Sequence, residues 1–317
     1  MAIYHLGAKV FSRSAGVSLM ARVAYRSGTR IRDPETGKVY DYRLKKEVVH
    51  REIVLCDTAP TEYADRKKLW SAVQKQATRK DAQLAREIVL ALPEELSQEK
   101  NLEIIRRFVR ENFVQYGYIA DICVHDKRDG NPHAHILITM RPIRDGRWSS
   151  RSSSRFKLDP TTGEKIPVID KKTGMQKRRK DGRLCYERES VNTDDMDTRE
   201  ALMRWRTSWA DICNRELEKI GIEAISEKSY AERGINLEPS IHEGYTARKI
   251  EAHGGVSDRC EMNRKIRRRN AALEDIRFRL AAIQKDIKKI LAERKLALRK
   301  LLEVVEDDRD VPHEISR

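Results

Sequence analysis

Residues 118–141 read YIADICVHDKRDGNPHAHILITMR, two apolar runs with the turn-forming stretch KRDGNP between them. Runs of this length on either side of an Asp-Gly turn commit the chain to an antiparallel hairpin, and so to a sheet around which the rest must be arranged. The hairpin also holds His125, His133 and His135, in a chain with eight histidines in all. Successive strand residues face opposite ways, so His133 and His135 share one face. A turn centred on Asp129, Gly130 and Asn131 folds Ile122–His125 back alongside, and in a matching register His125 joins them on that face. Three neutral imidazoles around one point hold a divalent cation and leave coordination positions open, as a catalytic centre requires and a closed structural site does not. Such ligands suit Zn, Mn, Co, Ni or Fe, and Mg less well. An HxH pair on a strand edge with an unrelated third histidine is the plain alternative. His5, His50, His242, His253 and His313 have no partner at ligand spacing.

The flanking sequence supplies strands and helices in alternation. AIYHLGAKVF reads as a strand, GVSLMARVAYRSG as a short helix stopped by Gly28, and RDPETGKVYDYRL as a hairpin on a Thr-Gly turn before the strand REIVLC. A helix over 61–80 is expected with Thr61 as its cap and Leu69, Trp70, Val73 and Ala77 on one face. REIVLALP, residues 86–93, is a buried strand, and 97–117 a helix capped by Ser97 with Leu102, Ile105, Phe108, Val109 and Phe113 inward. A further amphipathic helix carries Leu202, Trp205, Trp209, Ile212 and Leu217. The fold class expected is α+β, a central antiparallel β-sheet flanked by helices, with a C-terminal α-helical heptad tail.

Charge narrows the partner. The net charge is +15 and the pI about 9.6, with 36% charged residues, the footprint of a protein that meets a polyanion, nucleic acid first and an anionic membrane surface second. Residues 144–183 alone contain thirteen Lys or Arg against five acids, and read as a basic β-hairpin excursion from the core. No apolar run is long enough to span a membrane. The N-terminus carries no signal-peptide pattern. The five cysteines, with no CxxC spacing, read as reduced thiols, so a cytoplasmic location is expected. After NRKIRRRN, apolar residues at 273, 276, 280, 283, 287 and 290, then 297, 301 and 304, form a heptad seam broken at Arg294. That helix either self-associates or folds back on the domain, and the end from residue 303 reads as frayed. The expected domains are 1–245, with the basic insertion, and 246–317.

A three-histidine centre in a basic chain points to phosphate chemistry, where a metal polarises a phosphodiester oxygen. A tyrosine can serve as nucleophile, but composition does not choose among ten tyrosines.

Three stretches in order, ARVAYRSG, RKDAQLAREIVLALP and HDKRDGNPHAHILITMR, resemble the MobA/MobL (MobQ-type) conjugative relaxases of the HUH endonuclease superfamily. The resemblance runs from Met1 to about His242, where EPSIHEG resembles a closing motif of that family. It implies Tyr25 as nucleophile, His125, His133 and His135 as metal ligands, and Glu87 as base or orienter. Glu87 lies on the strand face of Val89 and Ala91; the plain alternative is an exposed carboxylate paired with Arg86 or Lys80. The implied reaction is metal-assisted nicking of single-stranded DNA at an origin of transfer, leaving a 5′-phosphotyrosyl link that can be religated. Mn or Mg would be the ion in use, with Zn, Co or Ni also admissible. Phosphates would be held by Arg22, Arg26, Lys127, Arg128, Arg141, Arg178, Arg179, Arg267 and Arg268, within a set that includes the basic insertion and Arg264–Arg269, with Trp148 a candidate for base stacking. A type IV secretion coupling protein and an accessory DNA-binding protein are further implied partners, with export of the chain attached to DNA. The rival readings are a replication initiator or transposase of the HUH type, a metal-dependent hydrolase, and a non-enzymatic DNA-binding dimerisation factor. No GxxxxGK[ST] motor motif occurs, so the chain reads as a short relaxase or the N-terminal part of a longer protein. YTARKIEAHGGVSDRCEMNR stands where the family would carry an AMERRG-like stretch.

Overall fold

The computed structural model describes residues 4–241 and 243–307. His242 of the IHEG stretch, the heptad side chains at 301 and 304, and residues 308–317 of the expected frayed end lie outside the described residues. The chain forms two compact units, Met1–Glu227 and Lys228–Arg317. The division falls ahead of the boundary expected at residue 245.

The first unit opens with β1 (Leu6–Ser12), α1 (Leu19–Ser27), the short hairpin β2 (Arg30–Arg32) and β3 (Val39–Asp41), and β4 (Val48–Val54). There follow α2 (Arg66–Gln76), β5 (Gln83–Ala91), α3 (Gln98–Asn112), β6 (Ala120–His125) and β7 (His133–Thr139). Two small hairpins, β8 (Ile143–Arg144) with β9 (Arg147–Trp148) and β10 (Ser152–Phe156) with β11 (Arg188–Asn192), precede α4 (Arg199–Lys219). Five strands make one antiparallel sheet in the order β1-β5-β7-β6-β4, the central sheet flanked by helices that the sequence implies. The hairpin β6–β7 is central, and its register pairs His125 with His133 and Cys123 with His135.

Each face of the sheet is covered. One carries Ile88, Leu90, Ile122, Ile136 and Ile138, all fully buried, as period-two alternation requires. Arg86 of that face lies under the Trp205 ring of α4, and Glu52 of β4 pairs with Arg106 of α3 at 2.8 Å. Rings of α3 and the turn after it stack on α4, Phe108 on Trp209 at 5.5 Å and Phe113 on Trp205 at 4.9 Å. Ser97 caps α3 by accepting from Lys100 N at 3.2 Å, and Gly117 follows at φ 92°, where a Cβ would stand 2.7 Å from the Ile143 carbonyl oxygen.

The other face carries Glu87, Asp121, Cys123 and the three histidines, and α1 and α2 cover it. Asp121, 1% exposed, accepts from the Arg66 guanidinium at 2.7 Å and from Trp70 Nε1 at 2.8 Å. Thr61 does not cap α2: 61–64 is a single 3-10 turn and Asp65 caps the helix through Lys68 N at 2.8 Å. A carboxylate accepts amide donors at a helix start better than a threonine, and Asp65 immediately precedes the first helical residue.

The basic insertion is a β-arm that closes at β11. Beyond β10 and β11 it continues through isolated bridges such as Leu158 to Lys165 and Ile169 to Gln176. Two of its turns share one device. The carbonyls of Asp159 and Asp170 each accept from a glycine amide four residues on, at 2.9 Å, while their side chains accept from the amides between. The β2–β3 hairpin closes identically, from Asp33 to Gly37.

The second unit contains α5 (Gly244–Ala252) and α6 (Asp258–Asp307). Along α6 the heptad residues Ile276, Leu280, Ile283, Ile287 and Ile290 are each at least half exposed. No helix among the described residues is long and apolar enough to cross a membrane.

Asp121→Ala leaves the Arg66 guanidinium buried without its counter-charge, and about 3–5 kcal/mol of stability is expected to be lost. Urea unfolding of the variant against the wild type measures it.

Candidate metal centre and nucleophile

The register of β6 and β7 brings the three imidazoles together, with ring centroids 4.8–5.5 Å apart. Each offers one ring nitrogen, and the three nitrogens lie within 4.8 Å of one another. Each ring also has one nitrogen committed elsewhere. His125 Nε2 donates to the Arg26 carbonyl at 2.6 Å, His133 Nδ1 to the Asn131 carbonyl at 2.9 Å, and His135 Nδ1 to Glu87 Oε1 at 2.9 Å. A carbonyl or carboxylate only accepts, so these nitrogens carry the protons. His125 Nδ1, His133 Nε2 and His135 Nε2 are left with free lone pairs. That is how metal-binding histidines are held, and the residues present fit a divalent ion. Burial pushes His125 down to about 4 against the pull of the Arg26 carbonyl. It lowers His135 too, against Glu87. Both rings are therefore neutral near pH 7, the form a metal requires.

Glu87 is fully buried, which excludes the exposed strand-start reading. Its partners are neither Arg86 nor Lys80. It accepts from His135, from Arg26 Nε, and from Lys9 Nζ of the adjoining strand at 2.8 Å. Burial opposes its ionisation, but these three donors outweigh burial and hold it well below the usual carboxylate range.

Tyr25 sits in the last turn of α1 with its side chain in reach of solvent, 47% exposed. The end of that helix is docked onto the histidine-bearing face through its carbonyl oxygens. The Tyr25 carbonyl accepts from Lys45 Nζ at 3.1 Å, the Arg26 carbonyl from His125 Nε2, and the Ser27 carbonyl from Arg51 Nη1 at 3.0 Å. These are the acceptors that a helix end leaves without internal partners. Gly28 makes the approach possible: it turns the chain at φ 59°, and a Cβ there would stand 3.0 Å from Val48 Cγ2.

The expected phosphate contacts separate into groups. Arg26 is not one, because it is 8% exposed and bound to Glu87; its guanidinium anchors the site from inside. Arg22 is half-buried with its guanidinium on the Phe11 ring. Lys127 and Arg128 are exposed on the turn joining the histidine strands, Arg178 and Arg179 on the β-arm, and Arg141 past the opposite end of β7. Arg267 and Arg268 are exposed on α6 in the second unit. Of their neighbours, Arg264 pairs with Glu251 and Glu261, and Arg269 with Glu238. Trp148 is half-buried, donates to Tyr63 OH at 3.0 Å and meets that ring tilted at 42°, so it is already engaged within the fold. Lys9, Lys45 and Arg51 are site residues that sequence reasoning missed. Each comes from a separate element, and only alternation along β1 and β4 marks Lys9 and Arg51 as facing the histidines.

Residues 17–253 match the model of the MobA/MobL family. The chain is 41% identical over 287 residues to a probable mobilization protein MobA of Bifidobacterium longum, covering 89% of this chain and 50% of that protein. It is 34% identical to a conjugal transfer protein TraA of Rhizobium radiobacter, covering 85% of this chain and 24% of that one. It is 32% identical to a mobilization protein MobL of Acidithiobacillus ferridurans, covering 82% and 66%. The chain thus spans half or less of the length of the first two. A solved structure reported as "Molecular Basis of Vancomycin Resistance Transfer in Staphylococcus aureus" superposes with a TM-score of 0.54 at 30% identity, covering 72% of this chain and all of that one.

Glu87→Ala removes the acceptor behind His135 and is expected to weaken divalent-metal binding about 10–100-fold, measured by calorimetry with Mn or Zn. In chelator, the unfolded chain takes up a proton at His125 below pH 6.5 that the folded chain refuses until about 4. Stability therefore rises with pH across that window and is lost on acidification through it. Melting temperature against pH should fall less steeply for His125→Gln than for the wild type.

Proposed function

The chain belongs to the MobA/MobL family, and on that premise we propose that it is a plasmid mobilisation relaxase that nicks one strand at an origin of transfer with Tyr25. The observation that carries this reading is the bond from His125 to the carbonyl of Arg26. It ties a metal-ligand ring to the residue next to an exposed tyrosine, so nucleophile and ion share one rigid frame.

Tyr25 Oη forms a bond to phosphorus as the bond from phosphorus to the 3′ oxygen breaks. The phenolic proton passes to solvent and the leaving 3′ oxygen takes one up. The product is a 5′-phosphotyrosyl ester and a free 3′-hydroxyl, and reversal of the same step rejoins the strand. His125, His133 and His135 would hold a divalent ion, which would supply Lewis-acid polarisation of the scissile phosphate. Glu87 acts as orienter: with three donors on its oxygens, it fixes the proton of His135 on Nδ1 and anchors the Tyr25 helix through Arg26. Single-stranded DNA is the substrate, held by exposed Lys127, Arg128, Arg178 and Arg179, with an affinity that falls as salt rises. The coupling and accessory proteins of conjugation are the partners this role requires, and the apolar row of α6 is the surface on which a second helix would pair.

The test is a denaturing gel with end-labelled single-stranded oligonucleotides tiling the transfer origin, in Mn, Mg or chelator. A metal-dependent covalent band carrying the DNA 3′ of the nick is expected, with at least a thousandfold loss in Tyr25→Phe. Cleavage without a covalent band would make the protein a hydrolase that uses water.

A further inference from the structure

The loop between β3 and β4 lies outside the three motif stretches quoted above, yet it packs against the tyrosine. Tyr42, at its start, meets the Tyr25 ring edge-on at 5.3 Å and 87°. Lys45 lies across the ring, its Nζ 3.5 Å from the ring centroid. The same ammonium donates to the Tyr25 carbonyl at 3.1 Å and stands 3.4 Å from Glu47 Oε1. Its side chain is 13% exposed, so water screens it poorly. The loop has little freedom: Tyr42 N donates to the Thr29 carbonyl, Lys45 N to the Tyr42 carbonyl, and the Glu47 carbonyl accepts from Asp126 N at the end of β6. On its other side it abuts Gly28, where a Cβ would lie 3.7 Å from the Lys45 carbonyl oxygen.

A lysine that only capped the helix would satisfy the carbonyl and point its charge to solvent. Here the charge is held against the π-face of the side chain that, in the function proposed above, becomes an anion. We infer that Lys45 is a positioning residue for Tyr25 whose charge stabilises the tyrosine selectively as it turns nucleophile. A cation is drawn to the face of a neutral phenol. As the proton leaves Oη, negative charge spreads into the ring and the attraction grows; once the oxygen is esterified to phosphorus it falls back. An interaction strongest between the two end states accelerates the step in both directions, so nicking and religation gain equally. Tyr42, edge-on, keeps the ring from rotating out from under the ammonium while leaving the hydroxyl open to substrate.

This rests on Tyr25 being the nucleophile, and two readouts separate the ideas. Lys45→Met keeps most of the stem without charge, Lys45→Gln restores a donor for the carbonyl, and Lys45→Arg restores charge. Single-turnover adduct formation at saturating tiled oligonucleotide should fall about 30-fold for Met and Gln, with half-saturation changed less than about threefold, and Arg should recover most of the rate. The second readout uses no DNA: phenolate-selective nitration of Tyr25, followed by peptide mass spectrometry, should slow in Met and Gln and not in Arg. Melting temperatures show whether each variant is folded. Wild-type-like nitration in the Met and Gln variants, or a Gln variant as fast as Arg, would overturn the inference. If nitration follows charge and the wild type forms no adduct, the role of Lys45 toward the ring stands and the relaxase reading falls.

Discussion

A helix end leaves carbonyl oxygens without partners, and how these are satisfied decides what the helix can be attached to. In α1 the carbonyls of Tyr25, Arg26 and Ser27 are taken by Lys45, His125 and Arg51, all from the sheet face or the loop entering it. Cationic and imidazole donors also suit the negative end of a helix dipole. The consequence is mechanical: a nine-residue helix, too short to be stable alone, is held at the end that carries the exposed tyrosine. Its opposite end needs only Ser18, which caps it through Ala21 N.

The same bonds organise the charge. Glu87 would be costly to bury alone, yet it is ringed by Lys9, Arg26 and His135, and through them it ties together the edge strand, the helix and one of the three clustered histidines. Removing any one partner disturbs the others. Four residues along β6 from His125, Asp121 repeats the arrangement with Arg66 and Trp70, fixing α2 as Glu87 fixes α1. Two buried carboxylates, on the strands either side of β7, thus clamp the two helices that wall the site.

What was legible in the sequence follows from how local each signal is. The histidine hairpin is encoded by alternation and one turn; the register that puts His125 opposite His133 was a condition of the sequence reading, and the structure supplies it. The stripes of α3 and α4 are equally local. The start of α2 was misjudged because Thr61 and Asp65 both satisfy cap chemistry, and only the path of the chain after Pro60 separates them. Arg26 read as a surface cation because α1 is too short for its buried face to show a period; its burial depends on Glu87, distant in sequence. Lys45 left no sign at all, since a lysine in a polar loop looks the same whether it faces water or a tyrosine ring. Gly28 was legible as a helix stop but not as the gap through which the loop makes contact.

The β-arm follows a different logic from the sheet that bears it. Two of its turns are closed by their own aspartate and glycine, Asp159 with Gly163 and Asp170 with Gly174, and a third by Arg179 with Gly182, along a largely exposed segment. Such a rung carries its folding instructions within a few residues, so rungs can be duplicated or deleted without altering the rungs that remain or the core. Reach then becomes a quantity that changes in steps, each rung moving the basic tip outward or inward by a few residues of strand at about 3.3 Å apiece. A chain with such an arm has a length that can vary while the sheet and the residues on it stay constant.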